Sequence, residues 1–244
     1  MQAYALTDVG RIRSINQDSV FSSPEAIGPL SNLFMVADGM GGHRAGDYAS
    51  RFLVDHLTAS IKDTKEEPVI KVLEEGIRTA NSQLYARSLS DPNLMGMGTT
   101  LVAAVIEQNT LYVANIGDSR LYLIGDEIRQ ITRDHSYVEE LVLLGQMERG
   151  SEDYLSKKNI ITRAVGTDEH VEVDFFEVTL HEHDQILLCS DGLTNMVEES
   201  AMREVVRSDE SLEARAKKLI ALANENGGRD NIAVILIDPG ISEV

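Results

Sequence analysis

Aspartates close apolar or loop segments from one end of the chain to the other. Asp18 ends Arg13-Ser14-Ile15-Asn16-Gln17-Asp18 and Asp38 follows Phe34-Met35-Val36-Ala37. Asp118 follows Val113-Ala114-Asn115-Ile116-Gly117, Asp191 follows Ile186-Leu187-Leu188-Cys189-Ser190, and Asp230 precedes Asn231-Ile232. A carboxylate at the end of an apolar strand points out of the rim of a sheet. Several rims meeting in one fold gather such acids into one cleft. Crowded carboxylates repel one another unless cations sit between them. Ligation by oxygen alone suits Mg²⁺ or Mn²⁺ rather than zinc. The pattern implies a hydrolase with a multi-metal site.

Each residue taken singly has a plainer reading. Asp18 fits a turn or cap, Asp38 and Asp191 fit Asp-Gly turns, Asp230-Asn231 fits a turn after a helix, and Arg13 fits a surface arginine. It is the ordered set across the chain that favours chemistry over turns.

The elements that must position these acids follow from periodicity. Apolar runs predict strands at 3–7, 33–37, 99–106, 111–116, 120–124, 127–131, 171–179, 185–189 and 232–237. Helical spacing predicts helices at 45–60, 69–89, 135–144 and 211–226, with Pro68 in the first turn of the second and Gly227-Gly228 closing the last. Residues 145–159 are polar and read as irregular. Between 99 and 131 the strands read as a meander, with Glu107-Gln108-Asn109, Gly117-Asp118-Ser119 and Gly125-Asp126 as its turns. The order of elements argues for an α+β fold, a four-layer α-β-β-α sandwich of two antiparallel sheets flanked by helices. Residues 33–37, 186–189 and 232–237 are apolar throughout, which suits strands buried on both faces.

Composition bounds the rest. The 244 residues are 43% hydrophobic and 25% charged, enough for one core, and neither a linker nor a repeat divides them, so one domain over 1–244 is expected. With 22 basic and 40 acidic residues the net charge is −18, which argues against nucleic-acid binding. The first residues lack the features of a signal peptide, and no apolar run reaches the roughly 20 residues of a membrane span. The single Cys189 reads as a buried small hydrophobe. A cytoplasmic protein without membrane insertion is expected.

The motifs Arg13-x-x-Asn16-Gln17-Asp18, Asp38-Gly39-Met40-Gly41-Gly42-His43, Gly98-Thr99-Thr100, Asn115-Ile116-Gly117-Asp118-Ser119-Arg120, Ile161-Thr162-Arg163-Ala164-Val165-Gly166, Ser190-Asp191-Gly192-Leu193 and Asp230-Asn231 stand together in one order. In that order the chain resembles the metal-dependent protein phosphatases of the PP2C type, in their bacterial form. The resemblance implies a serine/threonine phosphatase dependent on Mn²⁺ or Mg²⁺, with two and in bacterial members three metals. By resemblance, Asp38, Asp191 and Asp230 are the catalytic acids. Asp38 bridges two metals, the carbonyl of Gly39 joins the first, and Asp191 and Asp230 complete the second. Asp18 lies in the surrounding shell, and Asp118 with Asp191 maps to the third metal. Two divalent cations sharing a water lower its pKa toward neutrality for attack on phosphorus. Arg13 matches the phosphate-binding arginine, a role suited to a fixed fork of donors. Implied partners are phosphoproteins, among them a Ser/Thr kinase and its substrates. A monomer is the default expectation, which neither the residues nor the resemblance decides.

Met40 stands where animal members carry a proposed general-acid histidine. His43 is close by and is weighed equally between a proton or substrate-orienting role and loop structure. His56, His135, His170, His181 and His183 read as solvated. Asp118 divides between a third-metal role and a hairpin turn, and Lys157-Lys158 reads as a solvated charge pair. Residues 135–166 match the family's variable flap, and 135–160 are the candidate for substrate gating. A catalytically dead phosphoprotein-binding module would require a lost ligand among Asp38, Asp191 and Asp230, and all are present. An acidic cation-binding protein would need a local loop of clustered ligands, and the acids here are dispersed.

Overall fold

The computed structural model describes residues 1–42, 45–65 and 67–241. His43 lies outside them. The strands are β1 (Gln2–Asp8), β2 (Asp18–Ser23), β3 (Leu33–Met40), β4 (Gly98–Thr99), β5 (Leu101–Glu107), β6 (Thr110–Ile116), β7 (Arg120–Ile124), β8 (Ile128–Gln130), β9 (Asp174–Thr179), β10 (Gln185–Cys189) and β11 (Ile232–Asp238). The helices are α1 (Ala45–Lys62), α2 (Val69–Ser90), α3 (Tyr137–Leu143), α4 (Glu152–Lys157), α5 (Asp191–Thr194), α6 (Glu199–Val206) and α7 (Leu212–Glu225). One sheet runs β1-β11-β10-β7-β8. The other runs β2-β3-β5-β6-β9, with β4 paired to β3. All the pairings are antiparallel.

Strand alternation makes the four layers. Phe34 and Val36 of β3 point with Val102, Ala104 and Val113 into the space between the sheets, where they meet Leu121, Ile186, Leu188, Ala233 and Ile235. Leu33, Met35 and Ala37, the alternate residues of β3, pack outward under Leu53 and Leu57 of α1 and Ile77 and Leu84 of α2. On the other side Leu187, Cys189, Val234 and Leu236 pack outward under Val205, Ala216 and Leu219 of α6 and α7. The period of two along β3, β10 and β11 thus faces apolar matter on both sides, as their unbroken hydrophobic sequence requires. Pro68 is the N-cap of α2 rather than a residue of its first turn. Ser211 caps α7 by accepting from the Ala214 amide.

The structure departs from the sequence reading in several places. β2 forms where no strand is predicted, because Asp18-Ser19-Val20-Phe21-Ser22-Ser23 has little apolar content and owes its extension to pairing with β3. Ser190-Asp191-Gly192 opens helix α5 rather than making a turn, α6 forms where no helix is predicted, and residues 145–159, read as irregular, contain α4. The meander is broken at Gly117-Asp118-Ser119. β6 and β7 belong to different sheets, so this segment is a crossover between layers and not a hairpin. The pairs β5/β6 and β7/β8 are hairpins as read.

Candidate active site

Strand ends bring the acids together. β2 and β3 pair so that Asp18 stands opposite Asp38. The Asp38 amide donates to Thr100 Oγ1 at 2.9 Å, and the Thr100 amide donates to the Asp38 carbonyl at 2.9 Å, which fixes the end of β3 against the break between β4 and β5. Gly39 leaves no room for a side chain: a Cβ there would lie 2.0 Å from the Gly46 carbonyl oxygen, so glycine is what lets α1 close onto β3 behind Asp38. β10 delivers Asp191 to the first turn of α5. Gly192 beside it lies so close to Asn231 that a Cβ would meet the Asn231 carbonyl oxygen at 1.9 Å.

Asn231 ties the two ends of the chain into this rim. Its Oδ1 accepts from the Gln17 amide at 2.9 Å, and its Nδ2 donates to the carbonyls of Val9 and Ile15 at 2.9 and 3.0 Å. The loop carrying Arg13 is thereby held over Asp230, and Arg13 Nη2 donates to Asp230 Oδ2 at 2.9 Å. Arg13, Asp38, Gly39, Asp118, Asp191 and Asp230 line one cavity of about 280 Å³, with Asn159 and Ile161 closing another wall. Asp18 is buried behind that surface at 6% exposure.

The carboxylates are poorly satisfied. Ser190 Oγ donates to Asp18 Oδ2 at 2.7 Å, while Asp18 Oδ1 is buried and bonded to nothing. Asn195 Nδ2 donates to Asp191 Oδ2 at 2.8 Å, while Asp191 Oδ1 is likewise buried and bare. Removal from water pushes Asp18 up to about 7 against the Ser190 hydrogen bond, and the charges of Asp191 and Asp230 add to the rise. Burial and then Asp191 push Asp118 up to about 8. Burial and then Asp230 push Asp191 up to about 6. Asp38 is held well above the carboxylate range by burial and by the charges of Asp18, Asp191, Asp118 and Asp230.

Among the described residues, no three of these acids are already gathered round one point as a metal-holding group. They are instead neighbours across a shared cleft, with buried oxygens that lack donors and charges that raise one another's pKa. A hard divalent cation would supply what both features lack, and the all-oxygen donor set fits Mg²⁺ or Mn²⁺.

Asp118 is placed by its backbone. The Gly117 amide donates to His135 Nδ1 at 3.0 Å, the His135 amide donates to the Gly117 carbonyl at 2.9 Å, and the hydroxyls of Ser119 and Thr100 are 2.7 Å apart. His135 is therefore buried, not solvated, and its Nε2 lies 3.2 Å from Asp174 Oδ2. With Nδ1 accepting, the neutral ring carries its proton on Nε2. Burial lowers its pKa, against the pull of Asp174.

Residues 137–160 leave and rejoin the body at one place. Ser136 bridges Ile161, the Tyr137 amide donates to the Ile160 carbonyl, and the Thr162 amide donates to the His135 carbonyl. Inside this strap Glu139, 6% exposed, is held by Arg149 and by the Tyr154 hydroxyl. Lys158 is not a free solvated charge: its Nζ donates to Asn195 Oδ1 at 2.6 Å, so the strap reaches Asp191 through one amide. Asn195 carries no mark in the sequence as long as Asp191 reads as a turn residue. On a helix, Asp191 and Asn195 have the i, i+4 spacing that puts them in contact.

The Protein phosphatase 2C family model matches residues 11–236. The chain is 42% identical over 250 residues to the serine/threonine phosphatase stp of Listeria monocytogenes, covering 100% of this chain and 98% of that one. It is 41% identical over 242 residues to protein phosphatase PhpP of Streptococcus pneumoniae, covering 97% of each. The crystal structure of serine/threonine phosphatase Stp1 from Staphylococcus aureus is similar over 97% of this chain and 95% of that one, with a TM-score of 0.89 and 35% identity.

Proposed function

The chain belongs to the protein phosphatase 2C family, and we propose that it hydrolyses phosphoserine and phosphothreonine on proteins at the acidic cleft. The observation that carries this reading is the convergence of Arg13, Asp38, Asp118, Asp191 and Asp230, from separate strands and loops, on one cavity. The relatives named serine/threonine phosphatases lend the substrate class.

The residues that would hold Mn²⁺ or Mg²⁺ are Asp38, Asp191 and Asp230, with the Gly39 carbonyl, Asp18 and Asp118 as further oxygen donors. Two such ions, with a third at Asp118 and Asp191, would supply an acidified water and positive charge for the phosphoryl group. The protein's own contribution is position. Ser190 and Asn195 each donate to one oxygen of an acid, Asp18 and Asp191, and leave the other oxygen buried and unbonded. Arg13 stands at the mouth with its side chain half exposed, paired to Asp230 through one nitrogen, which leaves donors of the fork for phosphate oxygens. Asn231 holds that loop in place. The strap over 137–160 closes the cavity with Asn159, beside Ile161 at its base, and is where a protein substrate would be sensed.

In this reading residues 1–244 form one catalytic domain with a flap at about 135–166. The partners are phosphoproteins, among them a Ser/Thr kinase and that kinase's substrates, and the enzyme acts as a cytoplasmic monomer. Among the described residues no helix is long and apolar enough to cross a membrane. His43 is kept as a substrate-orienting candidate on sequence alone.

The test is release of phosphate from a phosphothreonine peptide as Mn²⁺ is added, with EDTA and Asp38→Asn as controls. Metal-dependent release that drops by roughly a hundredfold or more in the variant supports the reading. Wild-type protein that binds Mn²⁺ and peptide without turnover would make it a binding module instead.

A further inference from the structure

In a chain of net charge −18, arginines that face each other without an acid between them stand out. Arg207 follows α6 and Arg215 lies in the first turns of α7. Together with His183, Gln185 and Val206 they line a groove of about 260 Å³. Arg207 Nη1 donates to the His183 carbonyl at 3.0 Å. Arg215 Nη1 donates to the Val206 carbonyl at 2.5 Å and to Gln185 Oε1 at 3.3 Å. Closing α6 at Val206 accounts for that nitrogen of Arg215 and for no other. Its Nε is buried with no partner. Among the described residues neither guanidinium is ion-paired with a carboxylate. Asp238 and Glu210 act on Arg215 only from farther off, while burial and then those remote acids and Arg207 set its pKa, which is lowered on balance. His183 has a backbone φ of 67°, in the left-handed region that non-glycine residues enter mainly where surroundings enforce it.

We infer that this groove is a second anion site, built for a phosphate dianion and separate from the acidic cleft. Two guanidiniums with unused donors match the charge and the several oxygens of that group better than those of a single carboxylate. His183 at the rim is turned to an acid instead, its Nε2 3.8 Å from Glu182 Oε1. The groove opens at the start of β10, at Gln185, whereas Asp191 follows the end of that strand. At about 3.3 Å per residue the two lie on the order of 20 Å apart. The ligand is free phosphate or a phosphorylated side chain of a bound protein, which share this chemistry. The inference rests on the groove and not on the phosphatase reading.

The experiment follows ¹⁵N amide shifts of the full chain in EDTA, at ionic strength fixed with sodium chloride. Inorganic phosphate is titrated in one arm and a phosphoserine peptide in the other. Saturable shifts centred on residues 183–185 and 206–207 are expected, with affinity about tenfold weaker in Arg207→Gln. Arg207 is exposed, so that variant keeps its fold, and Arg215→Gln is a second, more severe test. Tighter binding of the peptide assigns a phosphoprotein as the ligand, and equal binding assigns free phosphate. Shifts that fail to saturate, that chloride reproduces, or that persist unchanged in Arg207→Gln overturn the proposal. Loss of phosphatase activity elsewhere leaves each of these readouts intact.

Discussion

Asp18 and Asp38 face each other directly across the β2–β3 ladder, two carboxylates at one register position. Like charges opposite one another weaken a sheet, and this pair is shielded from water as well. Both have folded-state pKa values above the unfolded one, as do Asp118 and Asp191. Between the unfolded value and the folded one, the native state binds more protons than the unfolded chain, so stability falls as pH rises. The metal-free protein is therefore expected to lose stability from about pH 4 upward until the folded values of about 6, 7 and 8 are passed. Asp18→Asn should flatten that slope and stabilise the metal-free form at pH 8 by about 1–3 kcal/mol. Urea unfolding in EDTA at several pH values checks this. A wild type as stable at pH 8 as at pH 5 would contradict the burden assigned to these acids.

Asn195 is expected to act on metal affinity and not on the reacting phosphate. Its amide donates to Asp191 and accepts from Lys158, so Asn195→Ala frees the Asp191 carboxylate to rotate and unties the strap. Groups that orient ligands in this way cost about 10–100-fold in metal affinity when removed. The Mn²⁺ concentration for half-maximal activity should rise by that factor, with turnover at saturating Mn²⁺ recovering most of its value. A drop in turnover that Mn²⁺ does not rescue would place Asn195 in substrate handling instead.

How much of this was legible in the sequence follows from the range of each interaction. The doubly buried strands β3, β10 and β11 announce themselves because every residue is apolar, and α1, α2 and α7 because one face is. β2 carries no such mark, since its polar residues are extended by a partner strand and not by their own preference. Gly117-Asp118-Ser119 has the composition of a hairpin turn. What makes it a crossover is His135, eighteen residues on, which holds the Gly117 amide. The acids themselves were visible as strand-end residues. Their pairing of Asp18 with Asp38, and the link from Lys158 through Asn195 to Asp191, are tertiary facts that no local spacing encodes.

The bonds that tie down the crossover come from the neighbours of Asp118, Gly117 and Ser119, while the Asp118 carboxylate takes a hydrogen bond from its own backbone. Asp118→Ala should leave the fold intact and, by removing an acid pushed up to about 8, should not destabilise the metal-free protein at neutral pH. Its activity should fall more at low Mn²⁺ than at saturating Mn²⁺. Activity measured across a Mn²⁺ series, with urea midpoints alongside, checks both parts. A loss independent of metal concentration would return Asp118 to a purely structural place in the loop.

Among the described residues Arg13 is the one basic side chain on the wall of the acidic cavity, and its ion pair with Asp230 is solvent-exposed, with side-chain exposures of 50% and 35%. Such a pair contributes little to folding, about 0–1 kcal/mol, so Arg13→Ala should keep its stability. A charge-assisted bond to a phosphate oxygen is worth about 1.5–3 kcal/mol, which corresponds to roughly 10–100-fold in binding. If Arg13 holds the phosphate before reaction, that factor appears in KM with kcat little changed. Arg13→Lys should recover only part of it, because an ammonium keeps the charge and loses the planar fork. Steady-state kinetics on a phosphothreonine peptide decide the point. An unchanged KM with a reduced kcat would mean that Arg13 acts only at the transition state, and unchanged values of both would confine it to its pair with Asp230.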